Sequence, residues 1–321
     1  MATTATHSVF IKEVVKKLNK RFNEADQLIL TTAAQSADPF YFYNILSQSK
    51  KNKKIRKIAT KVHNTKINDL FITMIKYIKA NNLEHNSSVM AYLYGLISHY
   101  ILDSTIHPFV LFKTGKFKKA DPSTWKYSGL HHDLEMNFDR YIIETKLQEN
   151  PFKYRFYKAL DNRLSPEILR LLDHSFYQVF KIKDYSRKYQ KSISDMKRAL
   201  WFFRYDPYGI KLFFYRLIRP FRKGKLDPLV ISYSLKTNRE RDYFNLAKQT
   251  WNYPTNKKIK SNKSLIELYD EALKKTVSLI KELDKYLYEN KKLDLDKLFA
   301  NKSYATGVDW RIDAKPQYFE F

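Results

Sequence analysis

Five of the eight histidines fall into a pattern with carboxylates. In YGLISHYILDSTIHP, residues 94–108, His99 and Asp103 stand four apart. On a helix that spacing puts both side chains on one face, about a turn apart. The surrounding residues are apolar nearly all round, so this helix is expected to be buried. A buried imidazole and carboxylate must be paired or bind metal, because burying an unpaired charge costs too much. His107 follows, just before Pro108, where the helix is expected to end. A second segment, GLHHDLEMNFD at 129–139, sets His131 and Glu135 at the same spacing. Two helices that each offer a His and a carboxylate can build a multinuclear zinc site between them, since neutral imidazole and carboxylate suit Zn2+.

Three more residues complete the set. His7 begins the first helix, Asp38 sits in the turn-like Ala37-Asp38-Pro39-Phe40, and His63 precedes a helix starting near Ile67. A lone buried histidine is more often a hydrogen-bonded core residue than a ligand. The combination of HxxxD, His107 a turn later and a separate HxxxE is what favours metal. His132 points about 100° away from His131 on an ideal helix, toward a supporting layer or the surface. His85 reads as an exposed loop residue, and His174, with no carboxylate four residues on, as structural.

The elements that must position these residues are helical almost throughout. Apolar residues recur at three- and four-residue spacing from Val9 to Phe22. Further helices are expected over Ile67–Ala80, Ser87 to about Asp103 and Leu130 to about Leu147. Ser165-Pro166-Glu167 is a helix start, followed by helices over 166–181, 184–203 and 208–218. A last strong one runs from Ser264 to about Tyr288. Alternating strand patterns are few. The fold class is all-α, a multi-helix architecture with a metal cluster between helices. Residues 1–150 form the catalytic core, and 151–321 are further helices packed on it or a second helical lobe.

Composition limits the alternatives. With 6 glycines and neither GxGxxG nor GxxxxGK[ST], a nucleotide-binding loop has little material. The absence of cysteine excludes disulfides, thiolate metal sites and cysteine nucleophiles. No secretory signal is visible, although a mature fragment of a secreted precursor would read the same way. The longest apolar stretch, Val89–Leu102, falls short of the ~20 residues that span a bilayer. A cytoplasmic protein, with peripheral membrane association allowed, is therefore expected. The net charge of +26 implies an anionic partner: a phospholipid surface, nucleic acid or another polyphosphate. An AT-rich coding sequence would also enrich Lys, Asn, Ile, Phe and Tyr. Two segments stand out. Lys50–Lys57 (KKNKKIRK) is a basic patch between elements. Trp201–Phe221 mixes aromatics with Arg204, Lys211, Arg216 and Arg219. That mixture suits a lipid interface or base stacking, and equally an ordinary core helix with a basic solvent face.

At these residues the sequence resembles the zinc-dependent phospholipase C family, which shares its fold with single-strand-specific nucleases. The match lies in His7, Asp38, His63, a YxxGxxxHYxxD helix (Tyr92, Gly95, His99, Tyr100, Asp103) with His107 after it, and a GxHxxxE segment (Gly129, His131, Glu135). It covers about residues 5–145 well and the rest loosely. The resemblance implies two to three zinc ions per chain. Asp38, His63, His99 and Asp103 would hold the first, His107, His131 and Glu135 the second, and His7 with a bridging Asp103 the third. Removal of Met1 would leave Ala2 to complete that third site through its amine and carbonyl. Two departures stand out. His107 follows Asp103 by four residues where other members use six, so the helix is expected to end differently there. Pro39 follows Asp38 where choline-type enzymes carry an aromatic residue, which leaves the head group open. The implied reaction is phosphodiester hydrolysis by a metal-activated water, with Asp38 as candidate catalytic base. Phospholipase C-like release of phospholipid head groups leads. A single-strand nuclease, or a non-catalytic basic zinc protein on anionic membranes, are the alternatives.

Overall fold

Short polar side chains start most of the helices by accepting a hydrogen bond from a backbone N–H of the first turn. Asn23 does so for α2 (Glu24–Ala33), Ser49 for α3 (Lys50–Asn64) and Asn86 for α5 (Ser87–Thr114). Helix α1 (Thr4–Lys17) precedes them, and α4 (Ile67–Ala80) lies between α3 and α5. Downstream, α6 (Leu130–Ile142) runs on into a π turn at Ile143–Leu147. Ser165 caps α7 (Pro166–Phe180), and α8 (Tyr185–Phe202) follows. Ser264 and Glu267 form a reciprocal capping box on α9 (Leu265–Tyr288), and α10 (Leu295–Phe299) leads into the C-terminal segment. The computed structural model describes residues 4–118, 120–202, 204, 208–210, 213–214, 217, 242–289, 291–312 and 314–320. Its fold is all-α apart from one antiparallel ribbon, β1 (Trp251–Tyr253) with β2 (Asn256–Ser261).

The core is organised around α5, which is apolar and buried on nearly every side, with α1, α2, α6 and α9 packed directly on it. Gly95 permits the tightest of these contacts. A Cβ there would stand 2.5 Å from the Leu30 carbonyl oxygen and 2.7 Å from Ala33 Cβ, so α2 lies almost backbone to backbone on α5. Among the described residues no helix is long and apolar enough to cross a membrane.

Several expectations are corrected. Helix α5 does not end before Pro108 but continues to Thr114, with Phe109 and Val110 buried beyond the proline. Proline has no N–H to offer the Ser104 carbonyl, and Gly307 packs at that spot. Its Cβ, were it present, would be 2.6 Å from Ser104 O and 2.9 Å from Pro108 Cγ. The Lys50–Lys57 patch is not between elements but forms the first half of α3. Helix α1 starts earlier than the Val9–Phe22 pattern implies and stops at Lys17. Of the expected helix at 208–218, Ile210, Phe213, Phe214 and Leu217 are helical, while its other residues from Lys211 to Ile218 and most of Trp201–Phe221, including Arg216 and Arg219, lie outside the described residues. Those that are described there, among them Trp201, Phe202, Phe213, Phe214 and Leu217, are exposed rather than core.

Candidate metal centre

Five elements deliver the candidate ligands: α1 (His7), the 3-10 turn Asp38–Phe42 after α2 (Asp38), the last turn of α3 (His63), α5 (His99, Asp103, His107) and α6 (His131, Glu135). Because α5 stays helical through Pro108, His99, Asp103 and His107 form one stripe at four-residue steps. The four-residue gap to His107 therefore follows from helix continuity, not from a different helix end.

Helix α1 is seated by Asp139 of α6. Its carboxylate accepts hydrogen bonds from Ala5 N at 3.2 Å, Thr6 N at 2.7 Å and Thr6 Oγ1 at 2.7 Å. A carboxylate belongs at the positive end of a helix dipole, and this one carries His7 against α5. There the His7 ring stacks on His99, centroids 4.2 Å apart.

The donor atoms of all eight residues fall into three groups, within each of which they lie no more than 4.8 Å apart: His7, Asp38 and His99; His63, His99 and Asp103; His107, His131 and Glu135. Asp103 is the hub. Its Oδ1 is 3.2 Å from His7 Nε2, and its Oδ2 is 3.1 Å from His99 Nε2. His63 Nε2 lies 3.2 Å from His99 Nε2 and 3.5 Å from Asp38 Oδ1. Glu135 Oε1 is 3.0 Å from His131 Nε2 and 3.3 Å from His107 Nε2.

Backbone carbonyls orient two of the imidazoles. His99 Nδ1 donates to Ala34 O at 2.9 Å, and His107 Nδ1 donates to Tyr304 O at 3.0 Å. A carbonyl only accepts, so in the neutral rings both Nε2 atoms are bare and aimed into the site, the arrangement metal-binding histidines need. His7 Nδ1 is buried with no hydrogen-bond partner among the described residues. Bare nitrogens that face carboxylates and each other repel unless a proton or a cation lies among them. This donor set therefore fits zinc.

The charges respond to one another. Burial pushes the Asp38 carboxyl up to about 6, against the pull of His99. Burial alone would raise Asp103, but His107, His99 and His7 hold it well below the carboxylate range. Burial would lower His107, but Asp103 and Glu135 outweigh it and push the imidazole up to about 9. Burial and the neighbouring His99 charge keep His63 well below the usual histidine range.

Asp38, His63, Asp103, His107 and His131 line a cavity of about 140 Å3 that is walled by Tyr41 and Tyr304. Tyr304 is the residue that local sequence reasoning misses. It lies 197 residues from His107 and orients that ring, while its own N–H donates to His63 O at 2.9 Å. Nothing in its neighbourhood, Ser303-Tyr304-Ala305, signals this role. The remaining histidines stay outside the groups. His132 is buried, not at the surface, and burial pushes it down to about 3. His85 is exposed, and His174 lies on Tyr77 with ring centroids 4.6 Å apart. Ala2 lies outside the described residues.

No curated protein and no solved structure matches the chain. The model of the family described as zinc dependent phospholipase C matches residues 6–196, a span that holds all eight candidate ligands. With more than half of its length matched, and imidazoles and carboxylates gathered as zinc requires, the chain belongs to the zinc-dependent phospholipase C family.

Proposed function

We propose that the protein hydrolyses phospholipids at the phosphodiester, releasing diacylglycerol and a phosphorylated head group. The observation that carries this reading is that members of all three groups, Asp38, His63, Asp103, His107 and His131, line one open cavity. His63, His99, Asp103 and Asp38 would hold one zinc, and His107, His131 and Glu135 a second. His7 and Asp103 would take part in a third. When bound, zinc lowers the pKa of a water toward roughly 7 and offsets charge on the phosphodiester.

The chain's own contribution is positioning and proton transfer. Asp38, at the wall of the cavity, accepts the proton of the attacking water. The P–O bond to diacylglycerol then breaks, and the alkoxide takes a proton from solvent. A cavity of about 140 Å3 accommodates the phosphodiester and part of a head group, so the acyl chains stay outside, in the lipid phase.

The net charge of +26 also suits single-stranded nucleic acid. A competition assay separates the two. Zinc-loaded protein is given mixed phospholipid vesicles and single-stranded DNA in one tube, with Asp38→Asn as control. Head-group phosphate release with intact DNA is expected. Asp38→Asn should cut turnover by about 10^2–10^4-fold with the helical content unchanged. Cleaved DNA beside intact lipid would move the protein to nuclease chemistry.

A further inference from the structure

Helix α3 is built against its own stability. Its sequence, KKNKKIRKIATKVHN, holds no acidic residue. Lys50, Lys51, Lys53 and Lys54 crowd the N-terminal end, where the helix dipole favours carboxylates. Like charges at three- and four-residue spacing repel further, as in Lys50–Lys54, Lys53–Lys57 and Lys54–Lys57. None of the ion pairs among the described residues takes Lys50, Lys53, Lys54 or Lys57, and all four are exposed. Arg56 differs. It turns inward and donates to the carbonyls of Tyr43, Asn44 and Ser47.

The cations are also aligned. At 100° per residue, Lys50, Lys54, Lys57, Lys61 and Asn64 fall within an arc of about 80°, a stripe about 21 Å long. Opposite it, Ile55, Ile58, Ala59 and Val62 are buried. The stripe ends at Asn64, which lines the cavity beside His63. Lys50, Lys54 and Lys57 are therefore uncompensated along this row, while Lys61, the last cation before Asn64, donates to Phe180 O at 3.3 Å and lies over the Phe180 ring.

We propose that the outer face of α3 docks the enzyme on an anionic phospholipid leaflet and brings the cavity to the head groups. The proposal rests on the phospholipid reading above for its choice of lipid over nucleic acid. The leaflet offsets the lysine repulsion that the fold itself leaves standing.

The test is sedimentation of the metal-free full chain with phosphatidylcholine vesicles, with and without phosphatidylserine. No hydrolysis is then required, so docking and catalysis fail or succeed separately. Each lysine near an anionic leaflet adds about fivefold to partitioning, so K50Q/K54Q/K57Q should weaken binding to the anionic vesicles on the order of 100-fold. The control K257Q/K258Q/K260Q removes the same charge from the exposed strand β2 and should lose only a few fold. Equal losses in the two variants would show that net charge, not α3, binds the surface, and would overturn the proposal. Unchanged vesicle binding by the α3 variant with weakened binding of single-stranded DNA would overturn it in favour of nucleic acid.

Discussion

Gly95→Ala tests whether the backbone contact between α2 and α5 sets the geometry of the metal centre. The new Cβ would meet Leu30 O at 2.5 Å, Ala33 Cβ at 2.7 Å and Ala34 N at 2.9 Å. All three belong to backbone or to a Cβ, so no rotamer change relieves them. Ordinary contact begins at 3.4 Å, so α2 must retreat by about 0.9 Å. Ala34 O retreats with it. Its bond to His99 Nδ1, 2.9 Å long, would open toward about 3.8 Å, beyond hydrogen-bond reach. Overpacking costs about 1–3 kcal/mol, and the lost bond about 1 kcal/mol more. Alanine returns about 1 kcal/mol of helix propensity. The expected net loss is about 1–3 kcal/mol, read by urea unfolding of the metal-free protein. Zinc affinity, read by competition with a chromophoric chelator, should fall about 10–100-fold, as when a supporting partner of a ligating histidine is removed. A variant that loses stability but binds zinc normally would refute the positioning role of Ala34. One unchanged in both would refute the close packing itself.

Other perturbations probe the remaining supports. Asp139→Asn leaves one carbonyl oxygen for three donors and turns an amide toward a backbone N–H. It should cost about 1–3 kcal/mol and, by loosening the seat of His7, lower zinc stoichiometry measured by native mass spectrometry; full stoichiometry would separate α1 from the site. Gly307→Ala puts a side chain at φ +65° and against Ser104 O. About 1–2 kcal/mol of backbone strain plus the clash should lift the Tyr304 segment and reduce phosphodiesterase activity, and normal turnover would show that Tyr304 does not hold His107. Finally, His107, raised from 6.5 to about 9, contributes stability to the metal-free protein that is fully present below about pH 6.5 and lost as pH rises through 9, about 3 kcal/mol in all. Zinc must displace that proton. Calorimetry near pH 7.5 in two buffers of different ionisation enthalpy should therefore report at least about one proton released per chain, and none would contradict the raised pKa.

How much was legible in the sequence follows from the range of the forces involved. Helical period is a local property, so the faces shared by His99 and Asp103 and by His131 and Glu135 could be read directly. Ile67–Ala80 matches α4, and Ser165 and Ser264 cap α7 and α9 as their neighbours suggest. Helix α3 was hidden because six lysines and an arginine within fifteen residues mask its four buried apolar positions. The continuation of α5 past Pro108 was equally invisible. A lone proline favours a helix end, and only the burial of Phe109 and Val110, with Gly307 against the freed carbonyl, decides otherwise. Residue types and spacing by themselves identified histidines and carboxylates on buried helices that fit zinc. Tertiary structure alone decided which candidate ligands share a group, that Asp103 is their hub, and that Ala34, Asp139 and Tyr304 orient them. Those contacts join residues 65 to 197 positions apart, and no local pattern encodes a distance that only the packing of several helices creates.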